Sequence, residues 1–320
     1  MLRTFLSLRK SGVIGINERN LSFINPTNDR RDLIKVNDKL QTKTLAERAG
    51  IPCPELYGVI ANSWDMRGLK DYVSRPEGCV IKPALGSQGK GIMVINGPLN
   101  DGWQLSSGRL VDEQTIRFHV NNIISGMYSL GGQVDKALIE YRVKFDTIFE
   151  KISFKGVPDI RVIVLSGVPV FAMIRLPTAA SDGKANLHRG GVGVGLSIAT
   201  GITELGMQHD RPIDQHPDTG QSLSGVQVPH WDEILLMAAQ SYDVTGLGYI
   251  GVDIVLDRDL GPLLLELNGR PGLSIQIANR GGLRRHLEAV RALRAGELPV
   301  AKRVDLAKRV YADLKTKAAA

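Results

Sequence analysis

The sequence predicts an α+β fold built on mainly antiparallel sheets. Three observations carry the prediction. Residues 159–176 and 249–267 each read as a strand–turn–strand hairpin. Residues 78–82 and 92–95 read as two more strands, joined by a glycine-dense loop. Helical patterns are scattered among the strands without the regular βαβ alternation of a parallel sheet.

The elements follow in chain order. Residues 1–36 form a first segment rich in Asn and Arg, with Asn17, Arg19, Asn20, Asn25, Asn28, Arg30 and Arg31. A helix is expected next. Asn37 or Asp38 can cap it, Leu40 and Leu45 supply apolar positions, and Gly50 stops it ahead of Pro52 and Pro54. The strand 78–82 runs into the glycine stretch 84–91 and is followed by the strand 92–95. Residues 137–145 read as a strand entering a connection. In the first hairpin, 159–165 and 168–176 flank Ser166-Gly167. A helix fits 231–243, and the last hairpin places 249–256 and 263–267 around a polar turn. We find no internal repeat and no low-complexity segment.

Composition excludes several classes. The chain has 320 residues, 43% apolar and 23% charged, which suits a soluble globular protein of about two domains. No run approaches the ~18 apolar residues of a membrane span. The first ten residues are too interrupted by charge to form a secretory signal. Cys53 and Cys79 lack a disulfide or metal-ligand pattern and read as free thiols of a cytoplasmic protein. The net charge is +7, and residues 284–320 carry ten Lys/Arg against four Asp/Glu. There Leu287, Val290, Leu293 and then Leu306, Val310, Leu314 recur at helical spacing. The basic tail is therefore read as two amphipathic helices with solvated faces, not as a nucleic-acid surface.

Residues 84–91 contain Gly86, Ser87, Gly89, Lys90 and Gly91. Glycines let backbone N–H groups turn toward an anion with no side chain in the way. Neither a Walker loop nor a dinucleotide fingerprint fits, because both lead into a helix and this stretch leads into a strand. It reads as a flap between antiparallel strands. Lys82 ends the strand just before it. Lys39 lies in the first turn of its helix, where the dipole disfavours a cation unless an anion is near.

Glu266 and Asn268 lie two apart on one strand and so share a face. If the last hairpin is symmetric about 259–260, Asp253 pairs with Glu266. Facing carboxylates in an apolar sheet repel each other, and burial raises the cost. A bound Mg²⁺ relieves both, since it takes carboxylate and amide oxygens together with phosphates.

Together these pieces resemble the ATP-grasp superfamily of carboxylate–amine ligases. The resemblance is carried by Asp38-Lys39, Val80-Ile-Lys82-Pro, Gly86-Ser-Gln-Gly-Lys-Gly91, Leu138-Ile-Glu140, Asp159-Ile-Arg161-Val, Gly251-Val-Asp253 and Glu266-Leu-Asn268, over roughly 37–283. Asn186-Leu-His-Arg-Gly-Gly191 looks like the glutamate ligase branch that modifies ribosomal protein tails. The chain as a whole resembles the alpha-L-glutamate ligase-like group. The resemblance implies the ATP-grasp fold, two α+β subdomains with ATP sandwiched between them. The expected segments are 1–36, an abbreviated N-terminal part; 37–140, with the flap; 141–283, with the metal site; and 284–320, the basic helices.

The resemblance also implies roles. Lys39 and Lys82 contact ATP phosphates, and Gly86, Ser87, Gly89, Lys90 and Gly91 close over them. Groups at Glu140, Tyr141 and Val143 hold the adenine edge, and Asp146 or Glu150 holds the ribose. Asp253, Glu266 and Asn268 hold two Mg²⁺ ions, with Mn²⁺ an alternative. Arg161 neutralises the phosphoryl group in flight. Arg175, Asn186 and Arg189 contact substrate or phosphate, and His188 and Arg270 are further candidates. The activity implied is ATP-dependent amide or peptide bond formation through an acyl phosphate, adding glutamate or another amino acid to a peptide or small acid. Two other readings use the same nucleotide site: a small-molecule kinase, and a nucleotide-binding scaffold without turnover. Family members carry a domain of about 100 residues or more before the first lysine, whereas 38 residues precede Lys39, too few for an independent domain. A partner subunit, a second copy of the chain or the C-terminal helices are expected to rebuild the missing wall.

Overall fold

The alternating apolar stretches pair into two antiparallel sheets in the computed structural model, which describes residues 7–87 and 89–319. Residues 1–6 of the first segment, Gln88 of the glycine stretch and Ala320 of the basic tail lie outside the described residues. The first sheet comprises β1 (Leu56–Ile60), β2 (Cys79–Pro83), β3 (Met93–Leu99), β4 (Gly102–Leu105), β5 (Leu110–Val111) and β6 (Ala137–Glu140), in the order β1-β6-β2-β3-β4-β5. The second comprises β7 (Asp159–Leu165), β8 (Val168–Leu176), β9 (Val192–Leu196), β10 (Thr203–Gln208), β11 (Arg211–Ile213), β12 (Tyr249–Asp257) and β13 (Gly261–Asn268), in the order β11-β10-β9-β8-β7-β12-β13.

Residues 38–43 and 53–144 form one compact unit, and the described residues of 1–37, 44–52 and 145–320 form the other. This differs from four consecutive segments: the N-terminal part and the basic helices both belong with the second sheet. Buried amide side chains explain the first case. Asn28 accepts the N–H of Tyr249 and donates to its carbonyl, both at 2.7 Å. Gln276 does the same with Ile14, accepting at 2.9 Å and donating at 3.0 Å. Each amide satisfies both polar groups of a backbone residue, which burial would otherwise leave costly.

Helices form at the places the sequence signals, after residue 38, over 231–245 and in the basic tail, and two more, over 30–37 and 113–124, form where none is expected from sequence. α1 (Arg30–Asn37) precedes α2 (Lys39–Arg48). The Asp38 carboxylate caps α2 by accepting from the N–H of Leu40 at 2.8 Å and of Gln41 at 3.3 Å. The chain leaves α2 through Gly50, whose φ is +70°. In the first unit, α3 (Glu113–Ile124) packs on β2 and β6, burying Ile116, Val120 and Ile123 with Ile81 and Ile139. Each such side chain contributes about 1.5–3 kcal/mol relative to exposure. In the second unit, α4 (Trp231–Thr245) and the C-terminal helix α5 (Arg284–Leu293) contact β7 and β8, and α6 (Val300–Ala319) contacts β8. Leu287 and Val290 are buried as their helical spacing implies, but Leu293 is exposed, and the last helix buries Val304, Ala307 and Tyr311 while Leu306, Val310 and Leu314 are half-buried. Among the described residues no helix is long and apolar enough to cross a membrane.

The last hairpin places Asp253 opposite Glu266, but by a different route from the expected symmetry. The turn closes with Asp257 opposite Gly261, one residue off that register. A bulge then pairs Ile254 with Leu264, so Leu265 is the extra residue and the strands return to register at Asp253.

Candidate functional site

In the first unit, β2 delivers Lys82 to the foot of the glycine stretch and β3 returns antiparallel to it, with Cys79 opposite Ile95. Lys82 Nζ lies 2.6 Å from Glu140 Oε2, on the neighbouring strand β6. Lys43 lies one helical turn beyond Lys39. Its Nζ lies 3.2 Å from Glu140 Oε1 and also donates to the Pro54 carbonyl. Lys43 and Lys82 are each 6% exposed and Glu140 is 2% exposed. Two buried cations share one buried anion, so the cluster carries an excess positive charge where charge is expensive to leave uncompensated. Lys39 Nζ donates to the Gly86 carbonyl, and its N–H donates to the Ala84 carbonyl at 3.0 Å. Lys39, Lys82, Glu140 and Gly86 are therefore brought to one place.

The glycines have local reasons. Gly89 and Gly91 have φ of +69° and +74°. A Cβ on Gly91 would lie 2.6 Å from the Tyr128 ring. Ser87 is half-buried and Lys90 is exposed. Tyr141 donates its N–H to the Glu55 carbonyl at 2.8 Å, while Val143 lies in the irregular connection beyond β6. Glu140 meets Lys43 and Lys82 through its carboxylate.

In the second unit, a charged row crosses four strands. Arg175 on β8 is opposite Asp159 on β7, Arg161 on β7 is opposite Asp253 on β12, and Asp253 is opposite Glu266 on β13. Arg161 grips Asp253 with two parallel bonds, Nε–Oδ1 at 2.7 Å and Nη2–Oδ2. Arg175 Nη2 donates to the same Oδ2 at 3.0 Å, and Arg175 Nε donates to Asp159. Burial pushes Asp253 up, but Arg161 and Arg175 outweigh it and hold the carboxyl well below its usual range. Asp159 goes the other way. Burial raises it to about 6, Arg175 opposes the rise, and the nearby Asp253 adds to it. From sequence, a bound metal is what relieves the Asp253–Glu266 repulsion. Here the chain's own arginines relieve much of it, so the facing acids by themselves do not demand a metal.

The donor set still suits a hard cation. Glu266 and Asn268 are half-buried oxygen donors on one face of β13. Asn268 Oδ1 accepts the Arg270 N–H at 3.0 Å and keeps a second lone pair. Asp253 shares its oxygens with the two guanidinium groups. Among the described residues no group of three or more His, Cys, Asp or Glu could hold a metal, so an ion here depends on the Asn268 amide. These residues fit Mg²⁺ on donor chemistry.

The other candidates separate. Arg175 joins the charged row. Asn186 caps the turn Leu187–Arg189 by accepting the His188 N–H at 3.0 Å, and His188 and Arg189 are exposed. Asp146 caps the turn Thr147–Ile152 by accepting the Ile148 N–H at 2.9 Å, and Glu150 is exposed. The sequence reading missed Lys43 and Asp159. Lys43 had a signal: it lies four residues after Lys39, so both share a helix face. Asp159 had one too, two residues before Arg161 on the same strand face.

A family model described as sugar-transfer associated ATP-grasp matches residues 18–292. A probable alpha-L-glutamate ligase of Citrobacter koseri is 27% identical over 248 residues, covering 78% of this chain and 60% of that protein. The ribosomal protein bS6–L-glutamate ligase of Salmonella paratyphi B matches with the same identity and coverage. The chain thus spans 60% of the length of these curated relatives. Among solved structures, the D-alanine-D-alanine ligase of Helicobacter pylori has a TM-score of 0.43 at 14% identity, covering 83% of this chain and 62% of that one. A D-cycloserine synthetase has a TM-score of 0.44 at 16% identity, covering 85% and 71%.

Proposed function

Because the chain belongs to the sugar-transfer associated ATP-grasp family, we propose that it is an ATP- and Mg²⁺-dependent ligase that joins a carboxylate to an amine. One observation carries the nucleotide half: Lys43 and Lys82 share the single carboxylate of Glu140 at the foot of the flap, with Lys39 on the Gly86 carbonyl. A polyphosphate supplies the anion this buried excess of positive charge calls for. Lys39 and Lys82 bind its phosphates, and Ser87, Gly89, Lys90 and Gly91 cover them. Glu140, Tyr141 and Val143 line the base, with Asp146 or Glu150 at the ribose.

Asp253, Glu266 and Asn268 would hold Mg²⁺, which would neutralise phosphate charge and polarise the transferring group. Arg161 and Arg175 offer fixed positive charge to a developing oxyanion, an effect that is strong because both are pre-oriented by carboxylates. A substrate carboxylate oxygen attacks the γ-phosphorus and ADP leaves. The amine nitrogen then attacks the acyl carbon, inorganic phosphate leaves, and the amine proton passes to solvent. The names of the curated relatives support glutamate as the amine and a protein or peptide as the carboxylate, and a small acid is the further candidate. Asn186 and Arg189 are the proposed substrate contacts.

The test is a screen of amino acids and small acids for stimulated ADP release, with mass spectrometry of the products. Amino-acid-dependent ADP release with a condensed product supports the ligase. A phosphorylated product in place of a condensed one overturns it. Glu266→Gln should abolish turnover.

A further inference from the structure

The flap is fixed at both ends by one short segment, 126–135, and by the helix before it. At the N-terminal end stands Asp135, which is 2% exposed and pairs with no lysine or arginine among the described residues. Its carboxylate instead accepts four hydrogen bonds. Two come from the Leu85 N–H, at 3.0 Å to Oδ1 and 3.1 Å to Oδ2. The Ser129 hydroxyl donates at 2.7 Å and the Lys136 N–H at 2.7 Å. Ser129 also forms a backbone bridge with Gly86. At the C-terminal end, His119 Nε2 lies 2.9 Å from the Gly91 carbonyl. A carbonyl only accepts, so Nε2 carries the hydrogen. Tyr128 packs against the bare Cα of Gly91 and lies 5.7 Å from the His119 ring, centroid to centroid.

Three donors, the Leu85 and Lys136 N–H groups and the Ser129 hydroxyl, engage both oxygens of this buried carboxylate. Its worth lies in where it holds Leu85. We propose that Asp135 and His119 are positioning residues that clamp the two ends of the glycine flap, at Leu85 and at Gly91. This rests on the reading of 84–91 as the phosphate flap. Freeing either end spreads the flap over many conformations, and nucleotide binding must then order them again.

The experiment uses the full chain and trypsin cleavage after Lys90, which is exposed at the tip, normalised to cleavage at the exposed Arg258 in the β12–β13 turn. Asp135→Asn keeps the shape but replaces one acceptor with a donor. His119→Phe keeps the ring on Tyr128 but loses the bond to Gly91. Without nucleotide, each variant should be cut at Lys90 about tenfold faster than wild type, the factor that ~1.4 kcal/mol of lost clamping gives. With Mg²⁺ and a non-hydrolysable ATP analogue at equal occupancy, wild type should be protected at Lys90 and the variants much less so. Wild-type cleavage rates at Lys90 in both variants overturn the proposal. If Asp135→Asn fails to fold, His119→Phe alone decides. If wild type binds no analogue, the ligase reading fails, while the nucleotide-free rates still decide the clamp.

Discussion

Glu140→Gln removes the one anion between two buried lysines. At an effective dielectric near 20, the 2.6 Å contact with Lys82 is worth ~6 kcal/mol and the 3.2 Å contact with Lys43 ~5 kcal/mol before desolvation. Desolvating three charged groups consumes most of that gain. What the substitution exposes is the penalty of leaving two buried ammonium groups with no counter-charge, ~3–5 kcal/mol. The local charge of the three groups rises from +1 to +2, so removing one lysine should return part of the loss. Urea unfolding monitored by tryptophan fluorescence measures each step. Glu140→Gln should lower stability by ~3–5 kcal/mol, and adding Lys43→Met should recover ~1–3 kcal/mol of coupling. A loss under ~1 kcal/mol with no coupling to Lys43 would refute the claim of a buried excess charge.

Three further outcomes follow from other parts of the molecule. His286 packs between Phe171 and Tyr311 with both ring nitrogens unpartnered, and burial, then Lys315 and Arg285, push it down to about 4. The unfolded chain therefore binds the extra proton between pH 6.5 and about 4, and stability falls as pH falls through that window. His286→Phe should remove that slope and gain ~2 kcal/mol on wild type on going from pH 7.5 to pH 5, read from paired urea curves. Parallel curves would contradict it. Asn28→Ala should cost ~2 kcal/mol, since it strands both polar groups of Tyr249. Hydrogen exchange at the Tyr249 amide should speed up accordingly, and unchanged protection would remove Asn28 from the account. Arg175→Met should raise the pKa of Asp253 by removing one of its two guanidinium partners, visible by carboxyl NMR titration as a shift toward the ordinary aspartate range. An unmoved Asp253 would mean that Arg161 alone holds it.

Local patterning made much of the fold legible. The hairpins at 159–176 and 249–268 announce themselves through runs of β-branched residues around short turns, and Asp38 and Gly50 mark the start and end of α2 by chemistry confined to a few residues. The bulge at Leu265 left no such mark. It satisfies the apolar pattern of β13 equally well, and only the pairing across the ladder reveals it. The charged row was half legible. Asp253, Glu266 and Asn268 stand out because acids and amides are rare within apolar strands. That Arg161 and Arg175 converge on Asp253 depends on strand order, with partners 92 and 78 residues apart in the chain. The role of the N-terminal part was illegible for the same reason: Asn28 reads as a loop asparagine until Tyr249 lies beside it.

The proposed function has the buried lysines bind the phosphates of ATP and the oxygen donors of β13 bind its Mg²⁺. Its most direct test is calorimetric titration of a non-hydrolysable ATP analogue into the full chain, with Mg²⁺ or with EDTA, for wild type and for Lys82→Met and Glu266→Gln. The account predicts binding by wild type with Mg²⁺. Loss of the metal and Glu266→Gln should weaken binding alike, and Lys82→Met should weaken it with or without metal. Equal affinity across all three proteins and both conditions would contradict it.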